Sequence, residues 1–333
     1  MNKTLGGTKL SVLLPVFNGQ RFLREAIESI LHQSYETFEL IVVDDGSKDD
    51  SAAIVLSYGD RRIRLLSNEN NIGLIASLNR GIDESYGEYI ARMDADDRSG
   101  PERFAKQIEF LDRNPSVAMV GTWGRCIDSN GQVFDDIQLP VEPLRIEDSL
   151  LSGNCFIHTS VMFRRSLVRE AGNYSEEAVF AEDYDLWLRL SEKYPLANIG
   201  EFLVEYRIHE DQLSLKMLKK QMASALRSRN AAVTRRRADS KIGHPDQNTE
   251  HVVAPPAASV AGQLLAWSAK YSKIGNKRMA RKLLLMAWLS DPLMPADAIA
   301  DSLEPVIGRK RVASLKWYLK RVAALVRRRP SGT

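Results

Sequence analysis

Three aspartates, Asp94, Asp96 and Asp97, follow directly on the apolar stretch 88–93. Carboxylates this close repel one another, and a cation usually relieves them. Alternate residues of an extended segment point the same way, so Asp94 and Asp96 can share one ligand. Hard divalent ions such as Mg²⁺ take carboxylate and phosphate oxygens, which makes the string a candidate metal site. A solvated acidic loop, or a cap for a helix beginning near Pro101, is the alternative. A second acidic turn, Asp44-Asp45-Gly46-Ser47, can accept hydrogen bonds from a base or ribose, or can cap the next helix through Ser47 or Asp49. In the loop 68–73, Asn71 precedes Gly73, which permits a tight turn and close ligand approach, or merely separates strand from helix. Glu182 and Asp183 offer a general base for an acceptor hydroxyl, or match the positive end of a helix. Arg207 could supply a cation for phosphate and His209 an imidazole for a metal, although a lone histidine at a strand end is more often an ordinary one.

An alternation of strands and helices must position these groups. Apolar runs at 10–17, 38–43, 88–93 and 117–122, and a weaker one at 62–66, read as strands. Helical spacing appears at 20–33, 48–58, 74–85 and 102–113. Such alternation argues for an α/β fold, a mostly parallel sheet with helices on both faces, whose ligands bind beyond the carboxyl ends of the strands. After Gly121 the pattern changes to a hairpin at 125–134 around Asn130-Gly131, a type I′ turn pair. A strand at 156–163, a helix at 183–193, a strand at 202–208 and a basic helix at 214–237 follow. Residues 240–258 read as a linker, and the rest as helical with a break near Asp291 to Pro295.

The chain has 333 residues, 44% hydrophobic and 27% charged. This is globular composition, which excludes wholesale disorder. Its two cysteines, Cys126 and Cys155, make neither a disulfide framework nor a zinc spacing and suit a reducing compartment. The first apolar run does not read as a signal peptide, and no apolar stretch reaches spanning length. The net charge of +3 conceals an acidic body, with 22 Lys and Arg against 36 Asp and Glu over 1–214, and a basic remainder with 24 against 7. That asymmetry suggests two jobs.

The order of the motifs is more specific than any one of them. SVLLPVFNG at 11–19, IVVDDGSKDDS at 41–51, NENNIGLIASLNRGI at 68–82 and GEYIARMDADDRSGPERF at 87–104 are followed by HTSVMFRRSLVREAGNY at 158–174, FAEDYDLWLRL at 180–190 and YRIHEDQLS at 206–214. In these the chain resembles the family 2 glycosyltransferases, inverting enzymes of the GT-A fold, over about residues 9–214. The resemblance implies a Rossmann-like GT-A catalytic domain at 1–214, then a basic helix at 215–239, a linker at 240–258 and a basic helical region at 259–333. It implies that Asp45, with Asp44 beside it, contacts a nucleotide base, and that Pro15, Phe17 and Asn18 lie beneath the nucleoside. Asn71 and Gly73 belong to the same donor site. Asp94 touches the ribose or metal region, and Asp96 binds the Mg²⁺ or Mn²⁺ that bridges the donor diphosphate. Asp183 is the base, and Arg207 and His209 close over the diphosphate and metal.

The implied reaction moves a sugar from a nucleotide-diphosphate sugar, with uridine the family's usual base, to a glycan or polyprenyl-diphosphate-linked acceptor in bacterial surface polysaccharide synthesis. Processive members carry a Gln-x-x-Arg-Trp motif and membrane spans; here the helix after Asp183 reads YDLWLRL, which implies single transfers. A nucleotidyltransferase lacks support because PVFNGQRF is no Gly-rich phosphate loop. A degenerate binding protein is opposed by the retained Asp96, Asp183 and His209. No nucleic-acid module is recognisable. Residues 308–329 hold nine Lys and Arg and no acid, with Val312, Leu315, Leu319, Val322 and Val326 on one stripe. Such a helix can lie on an anionic membrane, although Trp317 lies off the stripe and packing against the body is the alternative. The resemblance implies a cytoplasmic enzyme, peripheral to the membrane's inner face where the helix binds it.

Overall fold

The computed structural model describes residues 8–210, 212, 217–240 and 260–290; those up to 240 belong to one compact unit and 260–290 to a second. In the first unit, strands β1 (Leu10–Val16), β2 (Phe38–Asp44), β3 (Ile63–Ser67) and β4 (Tyr89–Arg92) alternate with helices α1 (Gln20–Leu31), α2 (Ser51–Leu56) and α3 (Leu74–Glu84). The short β5 (Arg98–Ser99) leads into α4 (Arg103–Arg113), β6 (Met119–Ile127), β7 (Val133–Ile137) and α5 (Pro143–Leu150). Then come β8 (Met162–Arg164), α6 (Arg165–Glu170), α7 (Glu182–Ser191), β9 (Leu196–Arg207) and α8 (Leu218–Ser240). The sheet runs β3-β2-β1-β4-β8-β6-β9-β5, with β7 beside β6.

The first four strands are parallel, as the alternation requires. β1 and β2 are buried at every residue because helices cover both faces, which is why they read as unbroken apolar runs. Alternation then divides the core. Leu10, Val12 and Leu14 share one cluster with Leu23, Ile27 and Phe104 of α1 and α4. Leu13, Ile41 and Val43 share the other with Ile75, Leu78 and Ile82 of α3. The remaining strands are mixed: β8 is antiparallel to β4 and β6, β5 is antiparallel to β9, and β6 and β9 are parallel.

Strand order reverses at β1, which has β2 on one side and β4 on the other, so a crevice opens at their carboxyl ends. The register runs from Leu10↔Phe38 to Val16↔Asp44 on one side and from Leu10↔Tyr89 to Leu13↔Arg92 on the other. The loops after β1, β2 and β4 therefore leave the sheet side by side. Pro15 fits within β1 because it faces β4 beyond the last bond of that ladder, from Met93 N–H to Leu13 O.

Two local expectations are corrected. The segment 156–163 is not one strand but a 3₁₀ turn, His158–Ser160, followed by the three-residue β8. Buried hydroxyls cause the break: Ser160 Oγ donates to Ile157 O and accepts from Thr122 N–H, and Thr159 Oγ1 accepts from Asp94 N–H. The β6–β7 hairpin forms, but only Gly131 has positive φ (79°), so the turn is not type I′. Asp128 instead accepts the N–H groups of Asn130 and Gln132 on its side chain.

The basic α8 packs on α7. Arg235 holds Glu192 through three contacts of 2.7–2.9 Å, and Arg236 donates to Ser191 Oγ at 2.9 Å, so part of this basic cluster serves the carboxyl end of α7. In the second unit, α9 (Val260–Lys273) and α10 (Lys277–Ser290) form a helical hairpin turned at Gly275 (φ 76°), with Tyr271, Ala280, Leu283 and Leu284 buried. No helix among the described residues is long and apolar enough to cross a membrane. The linker beyond residue 240, the break near 291–295 and the basic stripe at 308–329 lie outside the described residues.

Candidate active site

A cleft of about 410 Å³ opens beyond the carboxyl end of β4, with Arg92, Asp94, Asp96, Asn154, Glu182 and Asp183 in its walls. One wall is the segment after β4. It is a turn rather than an extended strand, and it brings one carboxylate oxygen each from Asp94, Asp96 and Asp97 within 4.8 Å of one another. Asp94 forms an ion pair with Arg92, which is 2% exposed. Asp97 is 1% exposed; one oxygen accepts Arg207 N–H at 2.7 Å and the other is buried without a partner. His209 reaches Asp96 Oδ2 through Nε2 at 2.9 Å, its ring 5.1 Å from that of Phe22. Burial raises the proton affinity of Asp94 and raises that of Asp97 strongly, with the neighbouring carboxylates adding to both. Crowded, underpaired carboxylate oxygens beside an imidazole are a donor set that fits Mg²⁺ or Mn²⁺.

Arg207 does not close over this site. Its side chain is fully buried, with Nε donating to Asp96 O at 2.7 Å, Nη1 to Asp128 O at 3.1 Å and Nη2 to Glu25 at 2.7 Å. The guanidinium also lies 4.4 Å from the Phe22 ring centroid. Arg207 thus clamps the end of β9 to the acidic turn and delivers His209 to Asp96. Nothing in the string Tyr-Arg-Ile-His distinguishes an exposed phosphate ligand from a buried clamp.

The opposite wall begins at Phe180, whose φ of 73° is rare for a bulky residue. The sharp entry sets Glu182 and Asp183 in the first turn of α7, so the helix-dipole and cleft readings of this pair both apply. Asp183 Oδ2 accepts from Asn154 Nδ2 at 2.8 Å. Burial raises the proton affinity of Asp183, and burial with the Asp183 charge lifts Glu182 to about 7. His158, behind them, bonds Tyr174 OH at 2.9 Å and is driven well below its ordinary value by burial and by Arg92. Arg92 is the one Lys or Arg lining the cleft among the described residues. Its role escaped the sequence reading, although a charged residue inside the apolar run 88–93 was a visible signal. Asn154 carried no such signal.

The neighbouring loops are tied together. Asn18 (φ 52°) donates its N–H to Ser47 Oγ at 2.9 Å and accepts Lys48 N–H on its side chain at 2.8 Å. Phe17 beside it is 48% exposed. Gly46 (φ 72°) has Asn70 backbone 2.6 Å from where a Cβ would stand, so only glycine lets the loop 68–73 approach. Asp45, expected at a base, is 4% exposed and spends its carboxylate on that loop. It accepts Asn68 Nδ2 at 2.8 Å and the N–H groups of Ile72 and Gly73, each at 2.9 Å. Gly73 (φ 93°) leads into α3 without a side-chain cap of its own, and Asp45, just beyond β2, holds the N–H groups at that entry. Asp44 accepts Ser47 N–H, while Asn71 stays exposed. Pro15 is buried in β1.

The sequence model for glycosyl transferase family 2 matches residues 11–172. A Bacillus subtilis protein carrying the provisional name glycosyltransferase EpsE is 38% identical over 217 residues, 63% of this chain and 76% of that protein. The chain belongs to glycosyltransferase family 2. An O-antigen biosynthesis glycosyltransferase of Escherichia coli, WbnJ, is 34% identical over 60% of this transferase and 80% of its own length. Among solved structures, Staphylococcus aureus TarS in complex with UDP-GlcNAc superposes with a TM-score of 0.55 at 18% identity, over 95% of this chain and 88% of that one. A mannosyltransferase of Pyrobaculum calidifontis in complex with GDP-Man and Mn²⁺ gives 0.54 at 18%, over 96% and 86%. These likenesses establish the GT-A fold.

Proposed function

We propose that this transferase moves one sugar from a nucleotide-diphosphate sugar, a UDP-sugar, to a hydroxyl of a glycan or polyprenyl-diphosphate-linked acceptor, with inversion at the anomeric carbon. The observation that carries the reading is one cleft with the Asp94 and Asp96 carboxylates on one wall and Asp183 on the other. Asp96, with His209 on its carboxylate and Asp94 beside it, would hold Mg²⁺ or Mn²⁺. Such an ion offsets charge on a departing nucleoside diphosphate. Asp183 accepts the proton of the acceptor hydroxyl, which attacks the anomeric carbon opposite the leaving group; one displacement inverts the configuration. Phe17 and Asn18 line the nucleoside side of the crevice, and Arg92 offsets the acidity of both walls. The O-antigen relative and the UDP-GlcNAc complex of TarS support a surface-polysaccharide role and a UDP-sugar donor. In this reading the enzyme works at the cytoplasmic face, its basic helices near an anionic membrane.

A thermal-shift panel of UDP-GlcNAc, UDP-glucose, UDP-galactose and GDP-mannose, with and without MnCl₂, tests the donor site. The reading expects a UDP-sugar to raise the melting temperature only with the metal. Well-folded protein that shifts with none of the four would overturn it.

A further inference from the structure

The loop carrying Asn154 is anchored on two elements, β9 and α7. Asn198 of β9, fully buried, donates through Nδ2 to Cys155 O at 3.0 Å and to Pro140 O at 2.7 Å. Gly121 of β6 makes room for this: a Cβ there would stand 2.2 Å from Asn198 Oδ1 and 2.9 Å from Phe156. Phe156 in turn meets Trp187 of α7 edge-on, with ring centroids 6.1 Å apart. Within the loop, Asn154 Oδ1 accepts Phe156 N–H at 3.1 Å. That bond decides which end of the amide faces the cleft, so Nδ2 must point toward Asp183, where it donates at 2.8 Å. The carboxylate is held at both ends, since Tyr184 N–H donates to its Oδ1 at 2.7 Å.

We infer that Asn154 is the positioning residue for the catalytic base, orienting the Asp183 carboxylate toward the acceptor hydroxyl. This rests on the reading of Asp183 as base. A carboxylate in that place needs help. Glu182 on the same helix is an acid neighbour, Tyr174 and Tyr184 lie near, and Arg92 is the cation that faces it. Burial favours the protonated, inactive form of Asp183, and the Asn154 hydrogen bond opposes it. An amide does this without adding a charge that would bind the donor or compete for the acceptor.

Two substitutions separate positioning from simple loop support. Asn154→Asp keeps the acceptor for Phe156 N–H, and with it the loop, but removes the donor and adds a like charge. Asn154→Ala removes both bonds. In full-length protein labelled with ¹³C-carboxyl aspartate, the Asp183 resonance is identified by its loss in Asp183→Asn. Its titration midpoint should rise by about one pH unit in Asn154→Ala and further in Asn154→Asp. The rate of UDP release from UDP-GlcNAc in MnCl₂ should fall about tenfold in both, with its acid limb moved upward to match. An unchanged Asp183 midpoint in Asn154→Asp overturns the inference, as does an Asn154→Asp rate profile equal to that of the unsubstituted enzyme. Failure of the underlying reading looks different: Asp183→Asn would then release UDP as fast as the unsubstituted enzyme.

Discussion

Asp45→Asn is an almost isosteric change that separates two roles for the second acidic turn. In the structure this carboxylate, just beyond β2, caps the entry to α3, accepting Asn68 Nδ2, Ile72 N–H and Gly73 N–H at 2.8–2.9 Å while 4% exposed. An asparagine can turn its oxygen toward only one side. With the oxygen kept toward Asn68 and Ile72, its amide group faces the Gly73 N–H, leaving two donors in conflict at a buried site, at a cost of about 2 kcal/mol. The two surviving bonds lose their charge assistance and the interaction with the helix dipole, about 1–2 kcal/mol more. A total near 3–4 kcal/mol in a unit of this size lowers the melting temperature by roughly 10 °C. Thermal unfolding followed by circular dichroism measures the total, and hydrogen exchange at Ile72 and Gly73 localises it. A variant that melts within about 2 °C of the parent, with both amides protected as before, refutes the capping argument. If it had instead lost affinity for UDP, Asp45 would be the base contact that the motif suggests.

Three further outcomes follow from the same geometry. Glu182 binds its proton more tightly folded (about 7) than unfolded, so its contribution to stability falls as pH rises from about 4.5 to 7. Urea unfolding should find Glu182→Gln more stable than the parent at pH 8, by up to about 3 kcal/mol, and no different at pH 4. Arg207→Met leaves the buried carbonyls of Asp96 and Asp128 without their donor, while half-exposed Glu25 keeps water and Arg98 nearby, so it should cost about 2–3 kcal/mol, read as a lowered midpoint in the same urea experiment. Asp96→Asn should abolish the Mn²⁺ dependence of the UDP-sugar thermal shift while leaving the melting temperature of the free protein within about 2 °C, since its carboxylate is partly exposed; a metal-dependent shift that persists would remove Asp96 from the metal set.

How much of this could be read from sequence depended on whether a residue's use is local. β1, β2 and α1 were legible because burial on two faces or on one stripe writes itself into hydrophobic spacing. The acidic turn was legible as a cluster, but period-two reasoning linked only Asp94 and Asp96; the turn that adds Asp97 depends on β5 pairing with β9, about a hundred residues away. Two-residue β5 has no periodicity to read. The segment 156–163 looked like a strand because its apolar residues are real core, and the hydroxyls of Thr159 and Ser160 override that pattern by bonding to partners in β6 and after β4. Asp45, Arg207 and Asn154 show the same limit at the site. Each has the chemistry of a ligand contact, and each is used instead, or also, to hold another piece of chain.

Those holding contacts explain how so acidic a cleft can exist before any donor arrives. Asp94, Asp96, Glu182 and Asp183 line one space with Arg92 as their nearby cation, Asp97 lies buried behind the first two, and their repulsion would spread loose loops apart. The Arg207 clamp, the Asp45 cap and the Asn198 pin fix the loops from behind, in places the donor need not touch. Burial first, and repulsion from neighbouring carboxylates second, therefore appear in the folded state as raised proton affinity at Asp94, Asp97 and Glu182, while at Asp183 burial raises it. A divalent cation and a diphosphate face opposite demands from such a site, since the carboxylates attract one and repel the other. Each ligand should then bind better when the other is present, and by linkage the gain is the same for both.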